Sequence, residues 1–269
     1  MLHYQVFKHN THKPWVVFIH GAGGGSAAWQ SQWEIFKKEY NVLAMDLRDH
    51  GKSKDIQPAK RRYTFELIAD DILKVLDFEK IQKAHFVTLS FGSVLIQDLS
   101  MRKPELVESV ILTGGVFKAN ILVRGFIHLA RFFNLFLSYP QMYRVFSKLL
   151  MPKERHQLSR RVYQIHATKI SNEEYLRWLG LYSTFFLTLK RFYYQKIDFP
   201  ALVIMGSDDY VFLKAAKAFA NYHDKVHLSI LSGAGHICNI DNPKDFNRIS
   251  LDFLKRIAEI NMKRDTVAA

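Results

Sequence analysis

Val87-Thr88-Leu89-Ser90-Phe91-Gly92-Ser93 is the stretch on which the fold turns. An apolar, β-branched run passes directly into a helical pattern with a serine at the junction. Such a junction forces the serine into a strained turn that exposes its hydroxyl, and the residues two before and two after it must be small for the backbones to pass. Gly92 meets that demand. Thr88 stands where a glycine is usual, so the turn reads Thr-x-Ser-x-Gly. A serine at a strand-to-helix junction can also be a plain helix N-cap, and the surrounding sequence has to decide.

Outward from this turn, short apolar runs alternate with longer helical patterns. This is the form of an α/β, mostly parallel, doubly wound sheet covered by helices on both faces. Strands are predicted at Trp15–Ile19, Val42–Met45, His85–Leu89, Val110–Thr113, Ala201–Met205 and Val226–Leu231, with Leu2–Lys8 as an antiparallel edge strand. Helical spacing covers Trp29–Lys38, Tyr63–Asp77, Phe91–Arg102, Leu213–Tyr222 and Pro243–Ile260. The residues from Lys263 to Ala269 read as a frayed tail.

The alternation stops after Gly114 and resumes at Pro200. The chain therefore divides into a core of residues 1–116 and 200–269 and an inserted helical segment, 117–199. The insertion holds 18 of the 37 aromatic residues, whose rings bury against the main domain, against a ligand or in a small core of the insertion's own. It also carries 14 Lys/Arg against four acids, most of the net charge of +13. That excess reads either as a solvated surface or as attraction for an anionic substrate, carrier or membrane.

Composition narrows the remaining options. A chain of 269 residues can bury one large core with a subordinate insertion. Met1–Asn10 lacks the unbroken apolar run of a signal peptide, so cytoplasmic residence is expected. His128, Arg131 and Asn134 interrupt the apolar stretch Phe126–Leu137, which is also too short to span a bilayer, so no integral membrane segment is expected. The single cysteine, Cys238, has no partner for a disulfide, redox or metal motif. No cofactor or metal is expected, and no recognisable nucleic-acid module accompanies the basic charge.

Trp15–Ile19 leads into His20-Gly21-Ala22-Gly23-Gly24-Gly25, a loop whose bare backbone can approach a ligand. The amides of Ala22 and Phe91 are the expected pair of oxyanion donors. The loop lacks the spacing of a dinucleotide fingerprint and the Gly-Lys-Ser/Thr ending of a P-loop. Among twelve histidines, His236 follows the last strand in a small-residue loop, where it can swing over the strand ends as a general base. His223 and His227 read as structural, and His20 and His50 as supporting residues. The acid that orients the base is Asp208 or Asp209, in the turn after Leu202–Met205. The one not used is a turn residue with a solvated carboxylate.

Four segments now agree in order and spacing: His20–Gly24, Asp46-Leu47-Arg48-Asp49-His50-Gly51-Lys52-Ser53, Leu89–Ser93, and Gly206–Asp209 with Gly235-His236. The second resembles an Asp-x-Arg-Gly-x-Gly-x-Ser loop with Asp49 and His50 at its centre. On these segments the chain resembles the α/β-hydrolase superfamily over nearly its whole length, in the compact single-lid esterase-like branch that includes acyl-carrier-protein methyl ester esterases. The resemblance implies Ser90 as nucleophile, His236 as base, Asp209 favoured over Asp208 by spacing, and the segment 117–199 as a lid. Ser90 also sets the chain apart from the haloalkane dehalogenases and epoxide hydrolases of this fold, which use an aspartate nucleophile.

The expected reaction is hydrolysis of a carboxylic ester through an acyl-enzyme on Ser90. The aromatic lid points to a lipophilic acyl group, and the basic charge to an acidic acyl carrier protein or a CoA ester. The alternatives are carbon–carbon bond hydrolysis or elimination by the same triad, or a ligand sensor without turnover.

Overall fold

The apolar runs pair into one seven-stranded sheet in the computed structural model, which describes residues 1–9, 12–54, 56, 62–118, 124–125, 129, 132–133 and 136–268. The strands are β1 (Tyr4–Phe7), β2 (Trp15–Ile19), β3 (Asn41–Met45), β4 (Ala84–Leu89), β5 (Val107–Thr113), β6 (Ala201–Gly206) and β7 (Val226–Leu231). Their order is β1-β3-β2-β4-β5-β6-β7. Only β1 runs antiparallel to its neighbour β3, as the edge position of Leu2–Lys8 implied.

Helices fill the intervals: α1 (Gln30–Phe36), α2 (Phe65–Phe78), α3 (Phe91–Arg102), α4 (Tyr139–Leu150), α5 (Gln157–Ala167), α6 (Asn172–Trp178), α7 (Tyr182–Tyr194), α8 (Leu213–Tyr222), α9 (Cys238–Asp241) and α10 (Pro243–Ala268). Side chains alternate across a strand, so each inner strand feeds two cores. Val17, Ile19, Phe86, Leu112 and Val203 pack under α2, α3 and α8. Val16, Phe18, Val87, Ile111 and Leu202 pack under α1 and α10. On α2 the buried residues Phe65, Ile68, Ala69, Ile72, Val75 and Leu76 make the helical stripe, and Thr64 caps it by accepting the Leu67 N–H.

The last helix continues to Ala268, where a frayed tail from Lys263 was expected. Leu254 and Ile257 anchor it in the core, and Asn261 donates to Oε1 of Glu108 in β5. Ala269 lies outside the described residues, as does much of the apolar stretch Phe126–Leu137.

Helices α4 to α7 occupy the interval between β5 and β6. Ser171 and Glu174 form a reciprocal capping box that starts α6. Tyr139, Met142, Tyr143, Phe146 and Ile170 make a small core there, while Phe185, Leu189 and Phe192 of α7 join the main one. Among the described residues no helix is long and apolar enough to cross a membrane.

The strand order fixes where a ligand can sit. Strand β2 has β3 on one side and β4 on the other, so the loops leaving β2 and β4 diverge at their C-terminal ends and open a crevice. The glycine loop and Ser90 both lie at that point.

Candidate active site

Ser90 occupies the turn between β4 and α3 with φ 50° and ψ −116°, a left-handed conformation that costs a non-glycine residue of order 1–3 kcal/mol. The ladder holds it there: its N–H donates to Thr113 O at 2.8 Å, and its carbonyl accepts from Ser93 N at 2.9 Å. A Cβ on Gly92 would sit 2.7 Å from His20 O and 2.8 Å from Ile19 O, so glycine is required where the turn crosses β2. Thr88 is accommodated because its side chain is buried and its hydroxyl donates to Ile111 O at 3.3 Å. The Ser90 side chain makes no capping bond to α3.

Its hydroxyl lies 2.8 Å from His236 Nε2, and His236 Nδ1 lies 2.7 Å from Asp209 Oδ2. A carboxylate can only accept, so Nδ1 carries the proton and Nε2 is left to accept from Ser90. Asp209 is fully buried, and its other oxygen accepts the Phe212 N–H at 3.0 Å. The His236 loop lies directly on the end of β6: a Cβ on Gly206 would come within 2.2 Å of Gly235 O. Gly114, at φ 53°, likewise passes under the His236 carbonyl.

Asp208 faces the other way. It pairs with Lys153 at 2.7 Å, with Arg155, and with His156 at 3.3 Å, all from the interval between β5 and β6. Burial pushes its carboxyl up, but the hydrogen bonds from Lys153 and Arg155 outweigh that and hold it at about 2. The two neighbouring aspartates thus have separate tasks, and the turn residue is not solvated as expected but tied into an ion-pair cluster.

Ala22 and Phe91 both border the same cavity as Ser90. Neither backbone N–H has a partner among the described residues, which leaves both free to donate. The peptide between Ala22 and Gly23 is fixed at both ends. Tyr143 Oη donates to Ala22 O at 2.6 Å, and Gly23 N–H donates to His50 Nε2 at 3.0 Å. His50 Nδ1 donates in turn to Arg48 O, and His20 Nε2 accepts from Leu47 N at 2.9 Å. Burial holds both imidazoles neutral, with His20 pushed down to about 3, so each keeps a lone pair for its amide. His50 therefore supports the glycine loop at Gly23, and His20, whose Nδ1 donates to Gly21 O at 2.7 Å, ties that loop to Leu47. Tyr143 carried no local sequence signal, because its partner is 121 residues away.

The cavity has a volume of about 170 Å³. Ser90 and His236 border it on one side, and Tyr143, Phe146, Tyr163, Tyr175, Trp178 and Phe185 contribute to the other. Burial raises the phenols of Tyr139, Tyr143 and Tyr163 well above the ordinary value, so they remain donors. Among the described residues that line it there is no Lys, Arg, Asp or Glu. Asp49, at φ 63°, is buried and pairs with Arg177 at 3.2 Å, which draws α6 down beside His50. Cys238 is buried below the sheet end and its thiol is pushed up by desolvation.

Residues 14–243 match the α/β hydrolase fold family. The chain is 26% identical to the candidate carbamate hydrolase RutD of Pseudomonas syringae pv. syringae (strain B728a), over 90% of this chain and 93% of that one. It is 27% identical to the 2-hydroxy-6-oxo-6-(2'-aminophenyl)hexa-2,4-dienoic acid hydrolase of Metapseudomonas resinovorans, over 91% of this chain and 85% of the relative. The crystal structure of the enol-lactonase from Burkholderia xenovorans LB400 superposes with a TM-score of 0.74 at 24% identity, covering 94% of this chain and 96% of that one. The family match spans most of the sequence, and the relatives are hydrolases aligned over nearly their full length. The chain belongs to the α/β hydrolase fold family.

Proposed function

We propose that the protein cleaves a carboxylic ester with a neutral, lipophilic acyl group through an acyl-enzyme on Ser90. The observation that carries this reading is the continuous chain from Asp209 through His236 to Ser90, ending in a cavity with no charged side chain among its described lining residues. Ser90 Oγ attacks the acyl carbon as its proton passes to His236 Nε2. The oxyanion is received by the amides of Ala22 and Phe91. The carbon–oxygen bond breaks, and the alcohol leaves with the proton from His236. Water then repeats the sequence: it gives a proton to His236, attacks the acyl carbon, and Ser90 Oγ recovers the proton as the acid departs.

Carbon–carbon cleavage by the same triad is supported by the named activity of the dienoic acid hydrolase. A dienoic acid brings a carboxylate, however, and among the described lining residues no cationic side chain offers it a counter-charge for the hydration it would lose. A carrier-linked acyl chain would be a narrower case of the ester reading. Of the lid arginines, Arg155 is bound to Asp208 and Arg160 to the carbonyls of Met151 and Lys153, which leaves fewer charges for an acidic carrier.

The test is a panel of p-nitrophenyl esters of increasing acyl length, run beside the dienoic acid, with fluorophosphonate labelling of Ser90. Turnover of the esters, a fall of about 10⁴ or more in Ser90→Ala, and labelling of the parent protein alone are expected. Labelling with cleavage of only the dienoic acid would replace the ester reading. Absence of both labelling and turnover would replace it with a ligand sensor.

A further inference from the structure

Seven of the fourteen basic residues of the 117–199 segment fall into two contrasting sets. Lys153, Arg155, Arg160 and Arg177 are tied to Asp208, backbone carbonyls and Asp49. Arg144, Lys148 and Arg161 stand on the outward faces of α4 and α5 and form no ion pair with any described residue. On those same faces Val145, Leu149, Leu158 and Ile165 are 44–62% exposed. Among the described residues, ten of the eighteen exposed large apolar side chains lie in this segment, which is under a third of the chain. Exposed aliphatics on a helix are ordinary singly; interleaved with unpaired cations on two packed helices they form a surface.

The two helices are held side by side, with Tyr143 stacked on Tyr163 at 4.4 Å and Gln164 donating to Ser147. Their spacing is helical: Arg144, Val145, Lys148 and Leu149 on α4, and Leu158, Arg161 and Ile165 on α5. The inward faces of the same helices, through Met142, Tyr143, Phe146, Leu150 and Tyr163, line the cavity. The outward surface is thus one helix thickness, about 10 Å, from the substrate space.

We propose that the outward face of α4 and α5 docks on an anionic phospholipid bilayer. Anionic headgroups supply a counter-charge to Arg144, Lys148 and Arg161, which pair with no described acid, and the headgroup–acyl boundary accepts the aliphatic side chains at any lateral position. An acidic protein would match the cations but would need a shaped apolar recess for the four aliphatics. Helices of 12 and 11 residues are too short to span, so the contact is peripheral.

The test is sedimentation of the full chain with large unilamellar vesicles of phosphatidylcholine alone, or with 30% phosphatidylglycerol, at low and high salt. It reads binding without turnover, so it succeeds or fails separately from the ester reading. Retention on the anionic vesicles alone, weakening with salt, is expected. Arg144→Glu with Lys148→Glu and Arg161→Glu should lower the partition coefficient about a hundredfold. Leu149→Ser with Leu158→Ser, which leaves the charge unchanged, should lower it about tenfold. All these side chains are exposed, and thermal melts check that the variants fold. No retention on anionic vesicles overturns the proposal, as does retention that the leucine variant keeps in full. Capture by an acidic acyl carrier protein in place of vesicles overturns it in favour of a protein partner.

Discussion

Replacing Tyr143 by Phe removes one oxygen atom and tests whether the 117–199 segment helps to build the oxyanion site. The phenol donates to Ala22 O at 2.6 Å, while His50 accepts from the next amide at 3.0 Å. The ring keeps its stacking on Tyr163, so packing is preserved, and what is lost is the bond to Ala22 together with the phenol's polar contacts to Tyr139 and Tyr163. A buried carbonyl left without its partner costs about 1–3 kcal/mol. A whole oxyanion donor is worth about 2.7–4 kcal/mol in the transition state. If the loosened peptide gives up part of the Ala22 contribution, kcat should fall about tenfold, with a ceiling of about a thousandfold. KM for a small ester should change less than about threefold, because the bond acts on the developing oxyanion and not on the ground-state acyl group. Steady-state kinetics on p-nitrophenyl butyrate separate the two constants. Combined with His50→Gln, which loosens the same peptide from its other end, the losses should not add. Unchanged kcat with a lower melting temperature, or a raised KM alone, would make Tyr143 a packing residue and refute the argument.

Asp209→Asn should reduce kcat by about 10⁴, since the amide cannot fix the His236 tautomer. Asp208→Asn should leave most of the rate and cost about 1 kcal/mol of stability or less, because Lys153 and Arg155 are about half exposed and solvent screens the pairs; the reverse ranking in paired kinetic and urea measurements would exchange their roles. Gly92→Ala should destabilise the fold by about 1–3 kcal/mol, read from the urea midpoint, since its methyl meets two backbone carbonyls that cannot swing away. Burial pushes His20 down to about 3 and His85 to about 4, while an unfolded chain protonates histidine near 6.5. The unfolded state therefore binds more protons below that point, and stability that is full above pH ~6.5 is lost as pH falls toward 4, by up to about 1.4 kcal/mol per pH unit for each buried histidine. A melting temperature flat between pH 7.5 and 4.5 would contradict this, and His85→Asn should make the slope shallower.

The sheet was legible in the sequence because strand and helix patterns are local. Apolar runs such as Trp15–Ile19 and Ala201–Met205 have to be buried on both faces, and only a parallel sheet between helix layers does that. The serine turn was legible for the same reason: Ser90 and Gly92 are two residues apart, and their steric demand is met within one turn. His236 followed from its place after the last strand. Asp208 and Asp209 could not be separated from the residues alone, since both are acids in one turn and only family spacing favoured the second. Tertiary structure gives them opposite surroundings, His236 for one and Lys153 with Arg155 for the other. It also decided which basic residues of the 117–199 segment are tied to partners such as Asp208 and Asp49 and which pair with no described residue, a distinction that composition averages away. The bond from Tyr143 to Ala22 and the pair between Asp49 and Arg177 join residues 121 and 128 positions apart. No periodicity encodes contacts of that range; they exist because helices α4 to α7 return across the C-terminal ends of the strands, and only the packed chain brings them there.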